Sequence, residues 1–417
     1  MKKDTVWKLV ALSGVPLIMV LGNSMLIPVF PQMQKAMSIT KMQAGLTITL
    51  FSLPAAISIP IMGFLADKFG RKPIIIPALI LYAIGGLISG FAPLVGKSYP
   101  LLLAGRVIQG VGAGGTGPIA MALVGDIFTS SERTKALGTL EAANGMGKVA
   151  SPILGAAIAL IIWYAIFFVY AVLAIPIVVL IWFLIKEPTP KNQNQALPNY
   201  TSKIKGIFQE KGKALIGTYL AGSVVLLVLF GILSYLSDIL EKDFNLAGVV
   251  KGLALAVPVL VMSTTSYFTG RYLVKQLQKM KSFIIFGLIT VAFSISIIGL
   301  LKGNLIFFLG IVAMGLGTGL VLPAVNTLVT SSVRVEERGG ITSLYGSARF
   351  IGVAIGPPAF DLMLRLSRST MFLGGGALTA VAALIAFWLI NEQLLLGKLA
   401  QNKKTAKKPP KVSPEPT

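Results

Sequence analysis

Glu141, Asn144 and Lys148 stand at i, i+3 and i+7 in an otherwise weakly polar stretch. That spacing puts all three on one face of a helix. A carboxylate placed there can be neutralised by a proton, by Lys148 or by a cationic ligand, which is the chemistry of coupled exchange. Arg106, Arg349 and Asp361 are further charges within apolar stretches. An ionisable group in hydrocarbon costs about 2.5–3.5 kcal/mol on insertion scales and marks a pathway by default. Glu141 and Arg106 are therefore the candidates for proton coupling. Asn23, Asn144, Lys148, Asn326 and Arg349 are the candidate substrate contacts. Each has a structural alternative. Glu141 could form a static ion pair with Lys148 or Arg349, and Arg106 could donate to carbonyls near a bend at Pro152. Asn23 and Asn326 could hydrogen-bond neighbouring helices.

Other chemistries are excluded by composition. There is no Cys and no His, which removes disulfides, imidazole and thiolate metal sites, and Ser-His or Cys-His nucleophiles. No enzyme activity and no cofactor are expected.

The elements that position these residues are membrane spans. Of the 417 residues, 55% are hydrophobic and 12% charged, with a mean hydropathy of +0.82. Soluble domains carry about 25% charged residues. A span needs about 20 apolar residues, and the charge-poor runs place twelve helices at about 7–29, 42–65, 74–95, 99–125, 136–160, 164–186, 214–237, 248–269, 282–301, 304–329, 340–364 and 370–394. The turn between the fifth and sixth falls near Ile162–Tyr164. The first run is too long for a signal peptide and lacks a small-residue cleavage site, so it is expected to be retained.

An even number of spans puts both termini on one side. Of the 37 Lys and Arg, 26 then lie on the side of the termini, 8 on the opposite side and 3 (Arg106, Lys148, Arg349) inside spans. This bias places the termini in the cytosol. The net charge of +22 thus reports topology, and no nucleic-acid partner is expected.

A shift of 205 residues superimposes two copies of one unit. Gly110, Gly112, Gly114 and Pro118 meet Gly315, Gly317, Gly319 and Pro323; Glu132-Arg133 meets Glu337-Arg338; Gly147 and Pro152 meet Gly352 and Pro357; Asn144 meets Arg349. The expected organisation is an all-α membrane protein of two pseudo-symmetric six-helix bundles. Residues 1–186 form the first half, 187–213 a cytosolic linker, 214–396 the second half, and 397–417 a basic disordered tail. Duplication of this kind points to a transporter whose substrate site forms between halves that rock.

Gly112-x-Gly114-x-x-Gly117 matches a dinucleotide fingerprint, but it lies within an apolar span with no strand before it. It reads instead as a close helix contact. The sequon at Asn199 falls in the cytosolic linker and is discounted. Pro152 and Pro357 each remove a helix hydrogen bond and are expected to bend their spans.

The loop Gly63-Phe-Leu-Ala-Asp67-Lys-Phe-Gly70-Arg71-Lys72 is similar to the Gly-x-x-x-Asp-x-x-Gly-Arg-Lys signature of the major facilitator superfamily. Arg106-Val-Ile-Gln-Gly110 resembles its second signature. Gly147-x-x-x-Ser151-Pro152-x-x-Gly155-Ala156 resembles the antiporter signature Gly-x-x-x-Gly-Pro-x-x-Gly-Gly, with Ser and Ala at two of its glycines. Together they resemble the twelve-span drug:proton antiporter branch over about residues 7–394. The resemblance implies that Asp67, Gly70, Arg71 and Asp126 latch a cytosolic gate while the protein faces outward. On the residues alone, Gly70 supplies a positive φ for the tight turn. Asp67 can pair with Arg71 or with the positive end of the helix beginning near Gly340. The basic residues could equally serve topology alone. The second half has Gly270-Arg271 but no acid four residues on, so no symmetric latch is expected.

The resemblance implies a proton-coupled exporter of small amphiphilic compounds, a monomer in a bacterial plasma membrane associated with multidrug efflux and antibiotic resistance. An exporter of an endogenous metabolite, lipid or siderophore would use the same machinery. Counting Arg106, Lys148 and Arg349 against Glu141 leaves the span cores net positive, so neutral, zwitterionic or anionic substrates are expected over lipophilic cations.

Overall fold

The computed structural model describes residues 3–128, 130–187, 197–273, 276–301, 303–333 and 338–396. Part of the expected linker, Glu337 of the repeat and the tail at 397–417 lie outside them. Among the described residues the chain is all-helical, without a strand.

The helices in chain order are α1 Lys3–Ser24, α2 Phe30–Met37, α3 Lys41–Phe69, α4 Lys72–Phe91, α5 Tyr99–Gly114, α6 Gly117–Ile127, α7 Ser130–Ile158 and α8 Ala165–Leu184. The second half holds α9 Leu197–Lys242, α10 Gly248–Leu273, α11 Met280–Leu300, α12 Asn304–Ser331, α13 Arg338–Leu366, α14 Arg368–Leu389 and the short α15 Glu392–Leu396. Ten helical segments are long and apolar enough to cross a membrane. They exclude α7 and α13, each 29 residues long and each carrying internal charges. Local chemistry sets the starts. Thr40 and Gln43 form a reciprocal cap on α3, and Ser98 and Ser367 cap α5 and α14, so orphan N–H groups are satisfied.

Three elements differ from the span boundaries read off the sequence. The first span breaks after Ser24 and resumes as a 3-10 turn and α2. The fourth breaks between α5 and α6, where glycines run into Pro118 at a helix start. The seventh begins well before residue 214: α9 is one helix of 46 residues, or about 69 Å at 1.5 Å per residue, more than twice the hydrocarbon thickness. Its early turns occupy the last part of the expected linker, with Ile204, Ile207 and Phe208 turned inward and Lys203, Lys205 and Glu210 outward.

Packing follows the repeat. In the first half α1 packs on α7 and α8, α3 on α5, and α4 on α5 and α8; in the second, α9 packs on α13 and α14, α10 on α12, and α11 on α12 and α14. The 205-residue shift converts each pair into its counterpart. The halves meet along two seams, α3 with α13 and α7 with α10, which the same shift exchanges.

The paired glycines explain the close approach. A Cβ at Gly110 would overlap the Phe51 carbonyl of α3, and one at Gly315 the Pro258 carbonyl of α10. At Gly112 it would stand 2.5 Å from the Ala78 oxygen of α4, and at Gly317 2.6 Å from the Gly287 oxygen of α11. The paired prolines mark the seams: a Cβ at Gly45 of α3 would stand 3.1 Å from Pro357 Cβ, and one at Gly252 of α10 2.6 Å from the Pro152 oxygen. Gly315→Leu must push α12 off α10. Its expected effect is a loss of about 1–3 kcal/mol or more, the scale of overpacking, read as a lowered Tm in detergent, while Gly138→Ala, which meets nothing within 4 Å, leaves Tm near wild type.

Candidate functional site

Between the halves lies a narrow cleft lined by Ser24, Ile27, Lys148 and Pro152 from the first half and by Leu233, Leu255 and Val259 from the second. Lys148 is half-buried there. Along the same face of α7, towards its start, Asn144 is half-buried and Glu141 exposed, and neighbouring Met146 is 70% exposed. The α7 face therefore opens outward from Lys148 to Glu141.

Arg349 of α13 is half-buried, its guanidinium 5.6 Å from the Tyr345 ring centroid. Among the described residues neither the Glu141–Lys148 nor the Glu141–Arg349 ion pair forms, and Lys148 and Arg349 have no carboxylate partner. Asn144 and Asn326 make no side-chain hydrogen bond among them either. Asn326 is exposed, and its carbonyl accepts from Thr330.

Arg106 has a different setting. It is fully buried and donates from Nε to the Thr47 oxygen at 2.9 Å, from Nη1 to Gln109 Oε1 at 2.6 Å, and from Nη2 to the Gly22 oxygen at 2.9 Å and Asn23 Oδ1 at 2.8 Å. Its guanidinium lies 4.4 Å from the Phe51 centroid, a cation–π contact. Asn23 in turn donates to Ser52 Oγ at 2.8 Å. The expected carbonyl partners near Pro152 are replaced by carbonyls of α1 and α3, because Arg106 faces the α3–α5 contact rather than α7. Arg106 and Asn23 thus tie three helices of the first half together.

At the turn between α3 and α4, Arg71 pairs with Asp67 at 2.5 Å and with Asp126 at 3.4 Å. Gly70 has φ 108°, as its turn requires, and a Cβ there would meet Glu187 Oε1 at 2.5 Å. Asp67 Oδ2 lies 3.2 Å from a Cβ placed on Gly339, in the first turn of α13. Tyr200 of α9 packs on Phe64 at 5.1 Å between centroids, and its hydroxyl stands 2.8 Å from a Cβ placed on Gly340. The four residues read as a gate therefore meet at one rim, where α3, α13 and the start of α9 converge.

The sequence reading missed two sets of residues. Glu187 accepts from the Arg71 and Lys72 N–H groups at 2.7 and 2.6 Å, and Lys72 Nζ donates to the Trp182 and Ile185 carbonyls. Glu392, 205 residues on, accepts from the Lys281 N–H at the start of α11. Burial pushes the Glu392 carboxyl up, against the pull of that N–H and of the Lys281 charge. Each acid neutralises the positive end of a helix, and their matching offset was the available signal.

The second set lies at the opposite ends of the seams. Lys41 pairs with Asp238 at 2.8 Å, Lys251 with Glu241 at 2.8 Å and Lys35 with Glu241 at 3.6 Å. Lys41 and Lys35 belong to the first half, their acids to the second. Lys251, within α10, is 2% exposed.

Two repeated apolar bundles with Lys148 in the cleft between them define a membrane protein of duplicated architecture. The chain belongs to the Major Facilitator Superfamily, whose model matches residues 12–357 and again residues 218–413. It is accordingly a multi-pass cell-membrane transporter and not an enzyme. It is 39% identical over 387 residues to the bacillibactin exporter of Bacillus subtilis, covering 92% of this chain and 95% of that one. It is 26% identical to multidrug resistance protein 1 of the same organism, covering 82% and 87%. Among solved structures, a D-xylose–proton symporter matches with a TM-score of 0.71 at 16% identity, over 94% of this chain and 97% of that one, which shows the shared fold.

Glu187→Ala frees two N–H groups at the start of α4 and leaves Arg71 and Lys72 without their acceptor. The expected effect is a loss of about 1–3 kcal/mol, the scale of hydrogen bonds to a charged group, read as a lower Tm, with Glu187→Asp intermediate.

Proposed function

We propose that this protein is a proton-coupled exporter of small amphiphilic compounds that works by alternating access. Taking α7 and α13 as the fifth and eleventh spans gives twelve, with the Gly70 end of the bundle and both termini in the cytosol, as the distribution of basic residues supports. The protein acts as a monomer, since each chain supplies both walls of the cleft.

The observation that carries the coupling is Glu141. It is the first half's carboxylate in a span core, it shares a helix face with Asn144 and Lys148, and no ion pair occupies it among the described residues. Open to the cytosolic side of the cleft, it exchanges a proton where cargo enters. Asn144, Lys148 and Arg349 contact the cargo. Asn326 contacts cargo at the cytosolic mouth, and Arg106 and Asn23 support the coupling from behind by holding α1, α3 and α5 in register. Asp67, Gly70, Arg71 and Asp126 latch the cytosolic gate, and the pairs of Lys41 and Lys35 with acids of the second half latch the outer one.

The identity to the bacillibactin exporter, over nearly the whole of both chains, favours a secreted metabolite of the siderophore kind as natural cargo. Drug export is the second reading, supported by the lower identity to multidrug resistance protein 1. Glu141→Gln removes the titrating group while keeping its shape. In proteoliposomes it is expected to abolish cargo movement driven by a pH gradient while leaving the elution profile and Tm of the purified protein unchanged. Full proton-driven transport by that variant would take Glu141 out of the coupling and direct attention to Asp361.

A further inference from the structure

The two ends of the α3–α13 seam are closed by different means. At one end Lys41 of α3 pairs with Asp238 of α9, beside Pro357 and Asp361 of α13, so an ion pair joins the halves there. At the Gly70 end Arg71 pairs with Asp67 and Asp126. All three belong to the first half, and these pairs stiffen one bundle rather than join it to the other. What reaches across at this end is the start of α9.

Two contacts fix the early turns of α9 to the second half. Lys211 Nζ donates to the carbonyl of Ser332, just past α12, at 2.7 Å. The Tyr200 hydroxyl and Ile204 Cδ1 stand 2.8 and 3.0 Å from where Gly340 of α13 would carry a Cβ, so the bare backbone of Gly340 is what admits them. Because α9 runs as one helix from these turns into its span, they move with the second half. The far side of Tyr200 meets the first half. Its ring packs on Phe64 of α3 with centroids 5.1 Å apart and planes at 57°, within the range of favourable aromatic pairs. Phe64 follows Gly63, whose Cβ position is 2.8 Å from Ser343 Oγ of α13, so the ring pair stands at the seam itself. The shift of 205 sets Gly339-Gly340 against Thr134-Lys135. The room for Tyr200 is thus peculiar to the second half and not part of the repeated scaffold.

We infer that the early turns of α9 are a bar across the Gly70 end of the α3–α13 seam, and that Tyr200 is the residue through which the bar holds the seam shut. The inference rests on the alternating access proposed above. When the halves part at this end, the Tyr200 ring leaves Phe64 while Lys211 stays on Ser332. Both rings then lose apolar burial and their mutual contact, and that loss favours the closed seam.

The test reads the opening directly. The native chain has no cysteine, so Glu132→Cys and Gln278→Cys, exposed positions on the two halves near the Gly70 end and outside the bar, carry nitroxide labels in the purified full chain. Double electron–electron resonance then gives the separation, and wild type is expected to show a near and a far population. Tyr200→Ala should raise the far-to-near ratio by about two- to tenfold, the scale of one aromatic pair. Phe64→Ala should do the same, and the double variant should add little to either, as for two residues sharing one contact. Tyr200→Phe keeps the ring and should hold the wild-type ratio, which separates loss of the contact from a folding defect. Two populations in wild type with a ratio that Tyr200→Ala leaves unchanged, or that Tyr200→Phe shifts as far as Tyr200→Ala does, overturn the bar and leave alternating access standing. One unchanging separation in wild type and in every variant overturns both.

Discussion

An ionised group inside an apolar bundle must find a partner, and the rest of this structure depends on how each one does. Arg106 takes carbonyls and amides from three helices of one half. Such a group holds a half-bundle rigid, because every donor it loses is exposed to hydrocarbon. Lys41, Lys35 and Lys251 take carboxylates, and two of them reach across from one half to the other. Glu141, Lys148 and Arg349 have no ion pair among the described residues. In the alternating access proposed above, this division into fixed, paired and unpaired charges would let the two bundles move against each other.

The scaffold is symmetric and the charge is not. The shift of 205 residues maps glycine contacts onto glycine contacts, Pro152 onto Pro357, one seam onto the other, and the helix-capping Glu187 onto Glu392. The same shift sets Arg106 against Ile311, Glu141 against Gly346, Lys148 against Val353 and Arg349 against Asn144. Packing needs repetition, because both halves solve the same close-approach problem. The proton coupling proposed above would need the reverse. A carboxylate in both copies would double the titrating charge, and a pair of identical walls would bind an ion without direction.

Much of this was legible because apolar length, glycine spacing and charge-free runs are local properties of a chain in lipid. The seams' prolines, the Asp67–Arg71 pair and the α7 face from Glu141 to Lys148 all stand where spacing put them. What was not legible depended on the third dimension. The partners of Arg106 are backbone carbonyls of α1 and α3, and carbonyls leave no mark on residue type. The burial of Lys251 is visible only with Glu241 beside it. The continuous α9 was hidden by its polar early turns, whose apolar side, Ile204 and Phe208, makes sense only against a neighbouring helix.

The central claim is that the α3–α13 seam parts at its Gly70 end during each transport cycle. The native chain has no cysteine, so a single engineered pair reports without background. Gly63→Cys with Ser343→Cys suits the purpose, since a Cβ on Gly63 stands 3.7 Å from the Ser343 Cβ, close to the mean separation in disulfides of about 3.8 Å. Export is followed in proteoliposomes before oxidation, after quantitative cross-linking, and after reduction. The account expects export to stop when the bridge forms and to return when it is reduced. Export that continues undiminished through a fully formed bridge would contradict it.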